Sequence, residues 1–104
     1  MMPLGDEGVR ALVESPFLKH LTLLNLGYNG ISNAGVAALV RWPCLSSLAI
    51  LYLHGSALDD EGAELLAAAP GLGQLRCLGL EGSTQIGDRG RGALRHRFSD
   101  RVHL

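Results

Sequence analysis

A repeat of 27 residues constrains this chain of 104 residues more than any other feature of its sequence. Leucine recurs at four positions of the repeat, and a proline and a glycine recur with the same step. The columns are Leu18, Leu45, Leu72; Leu21, Leu48, Leu75; Leu24, Leu51, Leu78; Leu26, Leu53, Leu80; Pro16, Pro43, Pro70; and Gly8, Gly35, Gly62. Gly90 extends the glycine column after one extra residue. Chance does not align six columns in one phase, so the chain consists of copies of one structural unit.

The first full copy has the pattern Leu21-x-x-Leu24-x-Leu26-x-x-Asn29-x-Ile31. This pattern resembles the leucine-rich repeat family, in which such a segment forms a short strand on a concave face and the chain returns through a convex element. A repeat of 27 residues with a helical return is similar to the ribonuclease-inhibitor-like branch of that family. The resemblance implies an α/β fold, a right-handed leucine-rich repeat solenoid of about three and a half repeats. Its short parallel strands would line the concave face and its helices the convex face.

After Ile31 the apolar spacing changes to three and four residues, which predicts helices through 36–40 and 63–67. Polar residues recur where these helices begin, and their side-chain oxygens suit a helix N-cap. The predicted caps are Asp6, Asn33, Asp60 and Asp88. Each is followed two residues later by a glycine, which costs a helix interior about 1 kcal/mol. The recurrence of that glycine predicts that the backbone approaches a neighbouring coil closely.

The phase of the repeat predicts one leucine-rich repeat domain over 1–104. Its parts are a partial first repeat, three repeats and a C-terminal cap, over 1–20, 21–47, 48–74, 75–97 and 98–104. Arg91 and Arg95 replace apolar residues of the earlier helices, and burying an unpaired charge costs several kcal/mol. We therefore expect a polar outer wall at this end. The arginines interpreted as a solvated cap are Arg89, Arg91, Arg95, Arg97 and Arg101.

The sequence begins in the middle of a repeat, with Leu4 at the position of Ile31 and without a first strand. Only a partial coil, with Met1, Met2 and Leu4, would cover the first complete one. Two hypotheses follow. The chain is the C-terminal portion of a longer solenoid, which we favour, or a small protein whose N-terminal edge is covered by another subunit through self-association.

Side chains that alternate with the buried leucines are expected on the concave face, in three rows across neighbouring strands. Tyr52 and His54 lie at its centre and are the most plausible recognition residues, because aromatic side chains recur at binding hot spots. The alternative is a cross-strand pair without a partner. The candidate protein-binding residues are Leu23, Asn25, Tyr28, Ile50, Tyr52, His54, Cys77 and Glu81. So few residues fall short of the roughly 20–30 per side of a stable interface, which predicts weak binding by these repeats alone.

Other function classes lack support in the sequence. A net charge of −1 gives no electrostatic attraction to nucleic acid or an anionic membrane. The longest apolar run, 48–53, is far below the ~20 residues of a membrane span. The histidines and cysteines lack metal-ligand spacing. The glycines Gly87, Gly90 and Gly92 precede no Lys-Ser/Thr pair, so they do not form a phosphate-binding loop. We expect no catalysis, no cofactor and no metal.

The sequence thus predicts a non-catalytic protein–protein interaction module, with a protein partner, no nucleic acid and no membrane. Cys44 and Cys77 are too few for a disulfide framework, which favours reduced thiols and a cytoplasmic location. A second hypothesis is a substrate-recognition or regulatory segment of a multidomain enzyme, such as a ubiquitin-ligase-like complex. A third is a structural remnant without a partner.

Overall fold

A computed structural model describes residues 4–104, in which short strands alternate with helices. The helices are α1 (Gly5–Val13), α2 (Asn33–Leu39), α3 (Asp60–Ala68) and α4 (Asp88–Phe98). The strands are β1 (Leu23–Asn25), β2 (Ile50–Tyr52), β3 (Cys77–Gly79) and β4 (Val102–His103). Short 3-10 turns occupy Leu45–Ser47, Pro70–Leu72 and Ser99–Arg101. The predicted covering of the first coil by Met1 and Met2 lies outside the described residues.

The four strands form one parallel sheet in the order β1-β2-β3-β4. The register follows the repeat, because Leu24 pairs with Leu51 and Leu51 pairs with Leu78. This arrangement confirms the expected α/β leucine-rich repeat solenoid. Within the cap predicted over 98–104, the short strand β4 pairs with β3.

The repeated leucines form the core. Leu24, Leu51 and Leu78 are buried at the centres of their strands, while the residues on either side of Leu24 and Leu51 are partly or fully exposed. The leucines that follow the strands and the apolar stripes of the helices join the same cluster. Each coil covers the leucines of the next one, so burial depends on stacking and not on any single repeat.

The N-caps of α2 and α3 each lie one residue before the predicted cap, and the predicted caps Asp6 and Asp88 lie inside α1 and α4. Ser32 caps α2 and Asp59 caps α3, each accepting a backbone N–H two residues along the chain, at 3.4 and 2.9 Å. The predicted caps Asn33 and Asp60 are the first residues inside these helices. A cap is the last non-helical residue, and in α2 and α3 the polar residue before the predicted cap fills that position.

Three of the predicted caps instead bind the following coil. Asp6, Asn33 and Asp60, called here the bridging side chains, each accept a backbone N–H at the start of the next helix. The pairs are Asp6 with Ser32 at 2.8 Å, Asn33 with Asp59 at 3.3 Å and Asp60 with Gly87 at 2.7 Å. The Asn33 amide also donates to the Asp59 carboxylate at 2.8 Å, and this bond lowers the pKa of Asp59 below its usual value. A helix N-terminus has unpaired N–H groups, which the neighbouring coil satisfies here.

The recurring glycine lies directly against these bridging side chains. A Cβ atom at Gly35 would overlap the Asp6 carboxylate, and one at Gly90 would lie 2.7 Å from Asp60 Oδ1. The Gly90 N–H also donates to that oxygen, at 3.0 Å. The close approach between coils that the glycine column predicted is confirmed.

The C-terminal cap is held by two arginines that were expected to be solvated. Arg97 donates to two carbonyls in the last turn of α3, at 3.2 and 2.9 Å, and Arg101 donates to the carbonyl of Leu75 at 2.8 Å. Both guanidinium groups lie over the buried ring of Phe98, 5.2 and 5.5 Å from its centroid. The prediction of a solvated cap is therefore wrong for these two residues. Arg95 is exposed, as expected.

The glycine column predicts opposite effects of alanine at two positions of α4. Gly90→Ala should lower the free energy of unfolding by about 2 kcal/mol, because its methyl group displaces the Asp60 carboxylate and crowds Ala63. Gly92→Ala, whose methyl group meets no atom within 4 Å, should raise it by about 1 kcal/mol through helix propensity. Urea denaturation followed by circular dichroism measures both, and equal effects would contradict the contact.

Candidate functional site

The concave face presents side chains in rows set by the strand register. Leu23, Ile50 and Cys77 are paired in one row across β1, β2 and β3. Leu23 is 46% exposed although it is a large apolar residue, whereas Ile50 and Cys77 are half-buried. The Cys77 thiol is free. This row forms an apolar stripe at the start of the strands.

The next row contains Asn25, Tyr52 and Gly79, also paired by register. Asn25 turns its amide oxygen toward its own backbone and accepts the N–H of Gly27 at 2.9 Å. The row continues into β4, where His103 pairs with Gly79 and is exposed. Sequence analysis missed His103 as a concave residue, although the strand pattern around Val102 could have indicated it.

Tyr52 and His54 come together over Gly79, and Glu81 lies beside His54. The rings of Tyr52 and His54 are 5.1 Å apart with their planes tilted by 35°, and His54 Nε2 lies 3.4 Å from Glu81 Oε1. A Cβ atom at Gly79 would lie 2.5 Å from His54 Nε2 and 2.9 Å from Tyr52 Cδ1. Because glycine leaves this space open, both side chains of the second coil lean across the strand of the third.

Tyr28 lies at the end of the strands with a left-handed backbone, at φ 56°. One and two repeats later, the same position is occupied by Gly55 at φ 62° and Gly82 at φ 80°. The ring of Tyr28 covers Gly55, where a Cβ atom would overlap it, and its hydroxyl points toward Gly82. The ring is 75% exposed. An aromatic side chain therefore extends across the loops of the two following coils.

A second concavity lies on the convex side between α3 and α4. It encloses about 510 Å³ and is lined by Glu61, Glu64, Leu65, Ala68 and Arg89. Arg89 Nε and Glu64 Oε1 are 2.6 Å apart across it, so its opposite charges are already paired. Because it lies on the convex side, its residues can serve as control positions for substitutions on the concave face.

Three further kinds of function, namely metal binding, membrane insertion and phosphate binding by the glycines of α4, receive no support from the described part of the chain. In residues 4–104, no three His, Cys, Asp or Glu side chains converge as metal ligands would. None of the helices described there has the length and apolar character needed to cross a membrane. Gly87 and Gly90 donate their N–H groups to Asp60, so these groups are occupied within the protein.

Comparison with known families supports the repeat assignment. A family model described as Leucine Rich repeat matches residues 17–40, which include β1 and α2. No curated protein matches the chain. The match and the four-stranded repeat fold together support a leucine-rich repeat protein.

The contact between Tyr28 and Gly55 predicts an energetic coupling between the two positions. Gly55→Ala should cost about 1–2 kcal/mol for its left-handed backbone, and a further amount of about 1 kcal/mol for displacing the Tyr28 ring. In a Tyr28→Gly background only the backbone cost should remain. A double-mutant cycle by urea denaturation measures the difference, and strictly additive effects would show that the ring does not lie on Gly55.

Proposed function

We propose that this chain is a non-catalytic interaction module of the leucine-rich repeat type, whose concave face binds a protein partner. The observation that supports this most is the ordered aromatic group of Tyr28, Tyr52 and His54, whose rings lie over glycines of the next coil. Side chains held in place before binding lose little conformational entropy when a partner docks. Aromatic residues also provide large contact area, which makes them frequent hot spots.

The binding face proposed here comprises the apolar stripe and the aromatic group together. Its residues are Leu23, Asn25, Tyr28, Ile50, Tyr52, His54, Cys77 and Glu81. A stable interface needs about 20–30 residues per side, so further coils would be required for tight binding. We propose that the module forms the C-terminal part of a longer solenoid of the ribonuclease-inhibitor-like branch, in keeping with its 27-residue period and helical return.

The proposal of a preceding coil is supported by the contacts that each later coil makes with the coil before it. A Cβ atom at Gly71 would lie 3.0 Å from the side chain of Leu45 in the preceding coil. Phe17 has the same position two repeats earlier, and its side chain is 88% exposed on the N-terminal edge. The edge thus fits a preceding coil that supplies a leucine side chain opposite Phe17.

We further propose a cytoplasmic location. Both cysteines are free and half-buried in the structure, and reduced thiols are typical of cytosolic proteins.

Capture experiments with the 104-residue chain test the binding face. Immobilised chain would be compared with the concave variant Tyr52→Ala/His54→Ala and with the convex variant Glu64→Ala/Arg89→Ala. Removing a central aromatic hot spot costs about 2 kcal/mol, or roughly thirtyfold in affinity. We therefore expect the parent chain and the convex variant to retain proteins that the concave variant does not retain. Quantitative mass spectrometry measures the retained proteins.

The convex control removes only a surface salt bridge, which contributes little to stability. Circular dichroism would establish that both variants are folded. Identical capture by all three chains would contradict recognition by the concave face and would favour a structural role without a partner.

A second experiment tests the proposed preceding coil. A copy of residues 28–54 placed directly before Met1 continues the 27-residue phase and puts a second Leu45 opposite Phe17. This extended chain should unfold at higher urea concentration than the parent. Phe17→Ser should change the stability of the parent by no more than about 0.5 kcal/mol, but should destabilise the extended chain by about 1.5–3 kcal/mol, because it removes a buried apolar side chain.

The competing hypothesis is that a second subunit covers the same edge. Sedimentation equilibrium distinguishes the two. A parent chain that dimerises, and that becomes monomeric with Phe17→Ser, would favour self-association. A monomeric parent that gains no stability from the added coil would contradict both hypotheses.

A further inference from the structure

We propose that the concave face receives an arginine side chain of the protein partner, between the ring of Tyr28 and the carboxylate of Glu81. This inference rests on the proposed function, since it names the chemistry that the binding face recognises. It is carried by the backbone of Tyr28, the charge of the concave rows and the adjacency of the two residues.

The backbone of Tyr28 is unfavourable for a residue with a Cβ atom. Its φ of 56° lies in the left-handed region, where the equivalent residues of the next two coils are Gly55 and Gly82. Left-handed backbone disfavours side-chain-bearing residues, and such strain is found at functional positions. Burial does not account for the tyrosine, because 75% of it is exposed. The exposed aromatic surface is therefore available to a partner.

The concave rows carry a negative charge that would attract a cationic side chain. The concave rows of the first three coils contain nine positions, namely Leu23, Ile50, Cys77, Asn25, Tyr52, Gly79, Gly27, His54 and Glu81. Glu81 is the acidic residue among them, and none is lysine or arginine. Its side chain is 64% exposed, and one oxygen lies 3.4 Å from His54 Nε2. The second carboxylate oxygen thus remains able to accept hydrogen bonds from a partner.

Backbone hydrogen bonds place Tyr28 and Glu81 on either side of the His54–Gly55 segment. The Tyr28 N–H donates to the carbonyl of His54 at 2.7 Å, and the Gly55 N–H donates to the carbonyl of Glu81 at 2.9 Å. The Tyr28 hydroxyl points toward Gly82, the residue after Glu81. An exposed ring and an exposed carboxylate on the same face suit guanidinium better than ammonium, since guanidinium stacks on aromatic faces and donates a forked pair of hydrogen bonds.

Three acetylated and amidated tripeptides test this site, Gly-Arg-Gly, Gly-Lys-Gly and Gly-citrulline-Gly. Citrulline preserves the shape of arginine without its charge. Each peptide would be titrated into the 104-residue chain, and the amide resonances of Gly55, Gly82 and Glu81 followed by NMR. The arginine peptide should shift these resonances, with an initial slope about two- to fivefold larger than for citrulline. The slope for lysine should lie below that for arginine.

Four variants test which residues produce the larger slope of the arginine peptide. Tyr28→Gly should reduce the arginine slope about two- to fivefold, while its backbone remains suited to the left-handed position. Tyr28→Phe should retain the slope, because it keeps the ring face. Glu81→Gln should reduce the slope to that of the citrulline peptide. Glu61→Gln removes an exposed carboxylate from the convex side and should leave the arginine slope unchanged.

Equal slopes for arginine and citrulline, or an unchanged slope in Glu81→Gln, would overturn the proposal. Equal slopes for lysine and arginine would overturn the assignment to guanidinium. These outcomes are separate from the capture experiment. If the concave variant loses a partner while the tripeptides show no difference, the face binds protein by other contacts and the arginine site alone is wrong.

Discussion

The contact on which the structure depends is the hydrogen bonding of the starts of α2, α3 and α4 by a side chain of the preceding coil. Asp60 is the clearest case, since one carboxylate oxygen accepts the N–H groups of both Gly87 and Gly90. A helix N-terminus combines unpaired donors with a positive dipole end, and a carboxylate compensates both. The strands are only two or three residues long, so their ladder alone provides few bonds between coils. The helix starts therefore share the task of fixing the stack.

The glycine column and the bridging side chains depend on each other, because they pack directly against one another. An oxygen that bonds to the helix start occupies the volume that a Cβ atom of Gly35 or Gly90 would need. A repeat can keep this bond only if the following repeat has glycine there. The cost of glycine in a helix, about 1 kcal/mol, is offset by the hydrogen bonds it permits. Because this contact fixes how coils stack, it also positions the side chains on the concave face.

The repeat predicted the strands, the helices and the glycine contact, because all three depend on the phase of apolar and small residues. It could not distinguish Ser32 from Asn33 as the helix cap, since both have a suitable oxygen and the choice depends on the adjacent coil. It also predicted solvated arginines from charge alone. Arg97 and Arg101 bind carbonyls some 26–31 residues earlier in the chain, and no local pattern reveals such acceptors. The candidate face was located by alternation, but the support of its rings by glycines required the structure.

That support has a consistent direction. Tyr28 of the first coil lies over Gly55 of the second, and Tyr52 and His54 of the second lie over Gly79 of the third. Each large side chain thus rests on a glycine in the coil that follows. The second coil contributes both the glycine beneath one aromatic residue and the aromatic pair over the next glycine, so the concave surface is determined by pairs of neighbouring coils. Changing a glycine on this face would therefore alter the proposed binding face by moving the aromatic residue above it.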